Sequence, residues 1–190
     1  MNHLIRIVCF ALAMTLVAGA QPDAVVAITR IEGKAYLDEK PIAAPVVLNR
    51  NSVVRTEDGR AEIRLRTGTV FLGANSSIRV LDNRPYNYNR LEILNGSAVV
   101  STSDGAGLVV CEDTVTLSDN GLFRLDLHGG SCHFRVYQGA ASVQLASVVT
   151  VLRTGKTMDL NRQCGDMIPW NDFDLTEIDD LDRWGRASRE

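Results

Sequence analysis

Residue types that would point to a particular chemistry are scarce in this chain of 190 residues. It has only three histidines and four cysteines, and aromatic residues make up 6% of it. Lysine and arginine (20) do not outnumber aspartate and glutamate (23), which gives a net charge of −3. A nucleic-acid-binding surface needs an excess of positive charge. The composition therefore argues against nucleic acid as a partner.

Long apolar runs are also missing, with one exception at the N-terminus. Arg6 precedes a run of apolar or small residues, and Ala18-Gly19-Ala20 has the small-x-small pattern of a signal-peptide cleavage site. The run spans roughly a dozen residues, whereas a transmembrane helix needs about twenty. We predict that residues 1–20 are a cleaved signal peptide. The alternative is an uncleaved anchor or a buried core helix.

Export follows from this prediction, to the periplasm or to the outside of the cell. Gln21 stands where a lipoprotein would need a cysteine, and no second long apolar run follows, so we expect no integral membrane segment after cleavage. Cleavage removes only Arg6 from the charge count and changes the net charge from −3 to −4. The remaining length, about 170 residues, suits one domain with its own core. We divide it into a β domain, 21–168, and an acidic C-terminal helix, 169–190.

Period-two alternation of apolar and polar residues dominates the region from Val25 to Leu160. Short alternating runs are bounded by Gly, Asn, Asp or Ser, which is typical of half-buried strands. The clearest case is a hairpin around Gly129-Gly130. This two-residue turn would place Leu127 opposite Cys132 and put Arg124 and Asp126 on the other, polar face.

A looser repeat runs through the same region: an apolar residue, two variable positions and a glycine. Its glycines are Gly68, Gly96, Gly139 and Gly155, with Gly33 in a shortened copy. Glycine at such a position indicates a tight turn or bulge. The spacing is too irregular for a propeller or a leucine-rich array. We therefore predict an all-β fold, either an irregular β-solenoid or a twisted sandwich of short strands, with a short C-terminal α-helix.

The C-terminal segment has a helical pattern instead. Leu175, Ile178, Leu181 and Trp184 form an apolar stripe. Asp174 is the predicted N-cap of this helix, with Glu177 in a capping-box position, and arginines fill the last turn. We expect the stripe to pack on the β domain; a partner-binding tail is the alternative. The carboxylates of Asp179, Asp180 and Asp182 are predicted to form a solvated helix face.

Several of these segments together resemble the FecR-like domain family. Residues 53–77 contain Arg55-Thr56, Asp58-Gly59, a strand, Gly68-Thr69 and Asn75-Ser76, a succession similar to that family's turn-and-strand pattern. Residues 91–100 and 134–143 look like its later strand pairs, so the resemblance covers roughly 26–160. It implies an extracytoplasmic all-β domain. The best-known members are membrane-spanning anti-sigma regulators that sense a transporter loaded with ferric citrate. The present chain lacks their cytoplasmic sigma-binding segment and their mid-chain membrane helix.

Chemistry-bearing residues are few after cleavage. Neither His128 nor His133 lies in the context of a catalytic base, and no Gly-x-Ser-x-Gly elbow is present. Cys132 and His133 are adjacent on a strand and point to opposite faces, which disfavours a zinc site. We expect no enzymatic activity, no metal and no cofactor. In an oxidising compartment, a disulfide between Cys132 and Cys164 is favoured, with Cys111 buried as a small hydrophobe.

One loop has the composition of a contact surface. Residues 83–90 combine two tyrosines, two arginines and three asparagines, which suit adaptable binding. The candidate partner-binding residues are Arg84, Tyr86, Tyr88 and Arg90; an ordinary long connection is the alternative. We expect a non-enzymatic module that binds an envelope protein or an extracellular ligand in envelope sensing or signalling. The competing hypothesis is a structural β domain of the cell envelope without a signalling role.

Overall fold

The computed structural model describes residues 26–81, 90–104, 106–110, 113–145, 148–160 and 170–187. Within these ranges the chain forms short strands and one short helix, which confirms the predicted all-β class. The strands belong to two sheets, A and B, whose inward side chains meet in one continuous apolar cluster. The architecture is therefore a sandwich.

Sheet A has nine strands in the described ranges and is antiparallel throughout. In spatial order they are β4 (Val46–Val47), β1 (Ala27–Glu32), β6 (Arg60–Leu65), β7 (Gly68–Leu72), the second half of β9 (Arg90–Thr102), β12 (Leu122–His128), β13 (Ser131–Gln138), β16 (Lys156–Asp159) and β17 (Trp170–Asp172).

Sheet B has the same number of described strands, and its only parallel pair there is β9 with β10. In spatial order they are β3 (Lys40–Pro41), β2 (Ala35–Leu37), β5 (Val53–Thr56), β8 (Ser77–Val80), the first half of β9, β10 (Ala106–Val110), β11 (Asp113–Leu117), β14 (Ala140–Leu145) and β15 (Val148–Arg153).

Strand β9 belongs to both sheets and bends at Gly96, whose φ is 87°. A Cβ at this position would lie 2.2 Å from the Ser76 Oγ, so both the conformation and the space require glycine. Gly33, Gly139 and Gly155 likewise have positive φ and stand where the chain passes from one sheet to the other. The repeated glycine of the sequence therefore marks the sheet-to-sheet corners, except at Gly68, which opens β7 inside a hairpin.

The hairpin predicted around Gly129-Gly130 is confirmed in its register. Leu127 pairs with Cys132, and Leu125 pairs with Phe134. These four side chains lie on the inner face of sheet A and are buried. Residues on that inner face fill the core between the sheets together with those of sheet B.

A second, smaller apolar cluster lies on the outer face of sheet A. Phe71, Val99, Leu122 and Tyr137 form its floor, and helix α1 (Asp180–Ala187) covers them with Leu181 and Trp184. The ring centroids of Phe71 and Trp184 are 5.1 Å apart in an edge-to-face arrangement. The apolar stripe of the C-terminal segment thus packs on the β domain.

The start of this helix differs from the prediction. The Asp174 carboxylate accepts hydrogen bonds from the backbone N–H of Thr176 (2.8 Å) and from its hydroxyl (2.7 Å), which closes a local turn instead of capping a helix. Helix α1 begins only at Asp180. Leu175, on the predicted stripe, is consequently exposed.

Candidate functional site

The actual cap of α1 is a pair of aspartates. The Asp182 backbone N–H donates to the Asp179 carboxylate at 3.0 Å, and the Asp179 backbone N–H donates back to the Asp182 carboxylate at 3.1 Å. This reciprocal arrangement is a capping box with aspartate in the place of the usual glutamate. It fixes both carboxylates at the N-terminus of the helix, where negative charge is stabilised.

Both carboxylates converge on Arg124 of β12. Arg124 Nη1 lies 2.7 Å from an oxygen of Asp182 and 2.7 Å from one of Asp179. Its Nε and Nη2 donate to Asp126, two residues along the same strand, at 2.8–3.0 Å. Ser97 on the neighbouring strand donates to the same Asp126 carboxylate at 2.7 Å. One guanidinium therefore binds three carboxylates, and we call these four residues the Arg124 cluster.

The position of the cluster corrects one prediction. The Arg124 side chain is only 10% exposed and that of Asp182 only 2%, because α1 covers the polar face of β12. Asp179 and Asp180 remain exposed. The solvated face predicted for Asp179, Asp180 and Asp182 is thus wrong for Asp182, which lies one residue from Leu181 on the buried side of the helix.

Electrostatics in the cluster follow from this burial. Burial alone would lower the pKa of Arg124, but the hydrogen bonds and charges of its three carboxylates outweigh that effect and raise it. Partial burial would raise the pKa of Asp179. The backbone N–H of Asp182 and the guanidinium of Arg124 together hold it below its ordinary value. Arg124 and Asp179 are therefore both charged at neutral pH.

Tyr137 of β13 lies under α1 and is influenced by Asp182. Burial, followed by the negative charge of Asp182, raises the pKa of the Tyr137 phenol. The Tyr137 Oη and Asp182 Oδ1 atoms are buried and have no hydrogen-bond partner among the described residues. The Arg186 guanidinium lies 4.9 Å from the centroid of the Tyr137 ring, and that of Arg60 lies 4.5 Å from the Trp184 ring. Helix α1 is thus held on sheet A by ion pairs, cation–π contacts and apolar burial together.

The residues singled out from the sequence lie elsewhere, and several fall outside the described ranges. These are the signal peptide, Arg84, Tyr86 and Tyr88 of the candidate loop, and the cysteines at 111 and 164. Arg90, the last member of the loop, begins β9, where its carbonyl accepts from the backbone N–H of Leu81 at 3.0 Å. The loop hypothesis therefore stays a prediction.

Cys132 is fully buried opposite Leu127. Its carbonyl accepts a hydrogen bond from the Leu160 backbone N–H at 2.7 Å. Leu160, four positions before Cys164 in the sequence, thus lies beside Cys132. The pairing of Cys132 with Cys164 stays a prediction, and the mass of the unreduced protein under thiol alkylation tests it.

The two histidines of the β12–β13 hairpin do not converge. His133 Nδ1 contacts the Asp159 carboxylate across the β13–β16 pair, and both side chains are more than half exposed. His128 Nε2 lies 3.4 Å from the Ser97 hydroxyl.

In the described part of the chain, no three histidine, cysteine, aspartate or glutamate side chains are grouped to bind a metal ion. Nor does any helix in that part have the length and hydropathy to cross a membrane.

Comparison with known proteins bears on the fold. No protein-family model matches the chain, and no curated protein matches it in sequence. Two crystal structures of a "putative anti-sigma factor" from Parabacteroides distasonis do match it in structure, with TM-scores of 0.55 and 0.56. The fold is shared. The match covers 65% and 66% of this chain at 15% and 14% identity. It spans about three fifths of those chains, 60% and 61% of their length.

Sequence reasoning missed the Arg124 cluster, although a signal for it was present. Arg124 and Asp126 are two positions apart and so lie on one face of a strand, and Asp179-x-x-Asp182 has the spacing of a capping box. Neither feature by itself indicates that a helix covers that face. Only the docking of Leu181 and Trp184 brings the two motifs together.

Proposed function

We propose that this chain is an exported, non-enzymatic FecR-like module that binds an envelope protein and regulates gene expression through it. The observation that carries the proposal is the fold shared with the two Parabacteroides structures. The turn-and-strand pattern of residues 53–77, similar to that of FecR-like domains, supports the same family independently of the structure. The domain assignment, residues 21–168 followed by the helical segment 169–190, belongs to this proposal.

The predicted signal peptide determines where such a module acts. An exported chain cannot bind a cytoplasmic sigma factor directly, so its partner must present a surface outside the cytoplasm. An envelope protein that itself communicates with the cytoplasm meets this requirement. The moderate negative charge is compatible with a protein partner and unsuited to nucleic acid.

The docked helix favours a second candidate, a structural β domain of the cell envelope. Leu181 and Trp184 are buried against the chain's own sheet and are not available to a partner. A domain that only adds bulk or rigidity to the envelope needs no further surface. The two candidates differ in whether removing the chain changes the expression of specific genes.

A deletion strain tests this difference. If the chain is regulatory, deletion changes the transcripts of one set of genes that share a promoter type. Complementation with the full chain restores them, whereas a chain without residues 1–20 does not. The truncated chain is the matched control, because its β domain is identical but is not exported. Unchanged transcripts, or only a general envelope-stress response, would contradict the regulatory role and favour the structural one.

A further inference from the structure

The sandwich has four sheet edges in its described part, and three of them are built to resist pairing. β3 has two residues, Lys40 and Pro41, and β4 also has two and follows Pro45. β17 has three residues, and its Asp172 is bound by the Lys156 ammonium at 2.6 Å. Very short strands, lysine, proline and charge are the usual means by which proteins protect edges.

The fourth edge, β15, lacks these protections except for one charge at its end. It has six residues, contains neither lysine nor proline, and pairs with β14 in six successive positions without a bulge. Because hydrogen bonds alternate in direction along an antiparallel strand, half of its backbone N–H and C=O groups point away from β14. No described residue pairs with them.

The side chains of this edge are apolar and exposed. Val149 and Val151 are 61% and 52% exposed. On their inner side they pair with Gln144 and Ser142 of β14. Across the described residues, three of the six exposed large hydrophobic side chains lie in β15. The only charged residue of the strand is Arg153, at its end.

We propose that the outer edge of β15 accepts an extended segment of the partner protein as an additional strand of sheet B. This inference rests on the proposed function, in that it assigns the surface at which the envelope partner binds. Strand addition combines main-chain hydrogen bonds, which provide affinity, with alternate side chains, which provide specificity.

The size of the edge favours an extended segment over a second copy of this chain. Six residues give an edge about 20 Å long and about 10 Å high. Two such edges would bury roughly 400 Å² in total, whereas a stable interface between folded proteins buries about 1,200–2,000 Å². An extended segment needs less area, because main-chain hydrogen bonds contribute most of its affinity.

The register specifies the chemistry of this segment. An antiparallel strand places residues opposite Arg153, Val151 and Val149 on one face, where directly opposed side chains interact. The best complement is an acidic residue first, followed at alternate positions by two apolar residues. The sequence Asp-Thr-Val-Thr-Leu, which also occurs as β11 of this chain, meets all three conditions.

Titration of the ¹⁵N-labelled chain with acetyl-Asp-Thr-Val-Thr-Leu-amide tests the proposal directly. We expect the chemical-shift changes to concentrate in the backbone amides of Val148–Arg153. Those among them that point away from β14 should exchange more slowly with solvent when the peptide is bound. The same peptide with a methylated valine nitrogen should bind at least tenfold more weakly. The protein variant Val151→Lys should likewise bind the unmodified peptide at least tenfold more weakly. The control variant Val47→Lys, on the short edge strand β4, should bind it like the wild type.

Three results would overturn the proposal. One is the absence of shifts in β15 at millimolar peptide, and another is equal binding by Val151→Lys and the wild type. The third is slow exchange, in the free protein, of the β15 amides that point away from β14, which would show that the edge is already covered. Concentration dependence of that protection would identify a second copy, and its absence a segment of the same chain.

An experiment in cells separates this inference from the proposed function. The double variant Val149→Lys/Val151→Lys, expressed in the deletion strain at wild-type level, should fail to restore the affected transcripts. If it restores them fully, the edge is not the binding surface, although the regulatory function stands. If the deletion itself changes no specific transcripts, the regulatory function fails, and the peptide titration still decides whether β15 accepts a strand.

Discussion

Replacement of Arg124 by methionine tests how α1 is held on sheet A. The substitution keeps an apolar stem of similar length but removes the guanidinium that binds Asp126, Asp179 and Asp182. Asp182, whose side chain is 2% exposed, would then be buried with no positive partner. An unpaired buried carboxylate is strongly unfavourable.

The magnitude follows from two competing routes of relaxation. Removal of one partner from a buried ion pair destabilises a protein by about 3–5 kcal/mol. Alternatively, the chain can expose Asp182 by releasing α1, which sacrifices the burial of Leu181 and Trp184, about 1.5–3 kcal/mol each. The two costs are similar, so we expect α1 to be released in a substantial fraction of the Arg124→Met molecules, while the sandwich between the sheets stays folded.

Trp184 fluorescence detects this release. In a Trp170→Phe background it is the only tryptophan of the chain, which contains two. We expect a red-shifted emission in Arg124→Met, and in urea a lower midpoint for the helix than for the β-sheet signal. Arg183→Met is the matched control, since the pair of Arg183 with Asp180 is exposed and should contribute less than about 1 kcal/mol.

A double variant tests whether the unpaired carboxylate of Asp182 causes the loss of stability in Arg124→Met. Asp182→Asn combined with Arg124→Met removes the guanidinium and the most deeply buried of its three carboxylates, and we expect it to recover part of the lost stability. The reasoning is refuted if Arg124→Met keeps the wild-type emission and lies within about 1 kcal/mol of the wild type. That result would mean that apolar packing alone holds the helix.

Three further predictions concern acid, a corner and export. The folded-state pKa of Asp179 is lowered, so the stability that its carboxylate contributes is present above the unfolded value, about 3.9, and is lost as the pH falls through the folded value. We therefore expect the Trp184 emission to shift red below about pH 4. An unshifted emission would contradict this. Gly96→Ala should destabilise the chain by at least about 2 kcal/mol more than Gly130→Ala in urea unfolding, since both positions have positive φ but only the first has neighbours within 4 Å of the added Cβ. The intact mass of the exported protein should correspond to cleavage after Ala20, and a mass that retains residues 1–20 would show that the segment is not a cleaved signal.

Local patterns were sufficient for the predictions that the structure confirms. The alternation of Phe123, Leu125 and Leu127 around a two-glycine turn fixes the pairing of β12 with β13, because a slip of one residue would expose the buried face. The class of the fold follows in the same way from many short alternating runs. The sequence does not show whether a repeated glycine lies in a turn within one sheet or at a corner between two sheets, since both require the same positive φ.

For the start of the C-terminal helix, in contrast, the local pattern was not sufficient. Asp174 and Glu177 have the spacing of a capping box, and so do Asp179 and Asp182. Propensity cannot choose between them, because both place an acid at the N-terminus of an acidic segment. The choice depends on which turn is covered by sheet A, and the burial of Leu181 and Trp184 selects the second box.

The sequence by itself thus determined the all-β class, the hairpin register, the positions of the corner glycines and the existence of a C-terminal helix, because each of these depends on residues close together in the chain. Only the tertiary structure decided the rest. Arg124 and Asp182 are 58 positions apart, and the position of β15 at the edge of the described sheet B is defined by the order of its strands. Which charges become buried together, and which strand lies at an edge of the described sheet, depends on contacts between distant segments that no local pattern encodes.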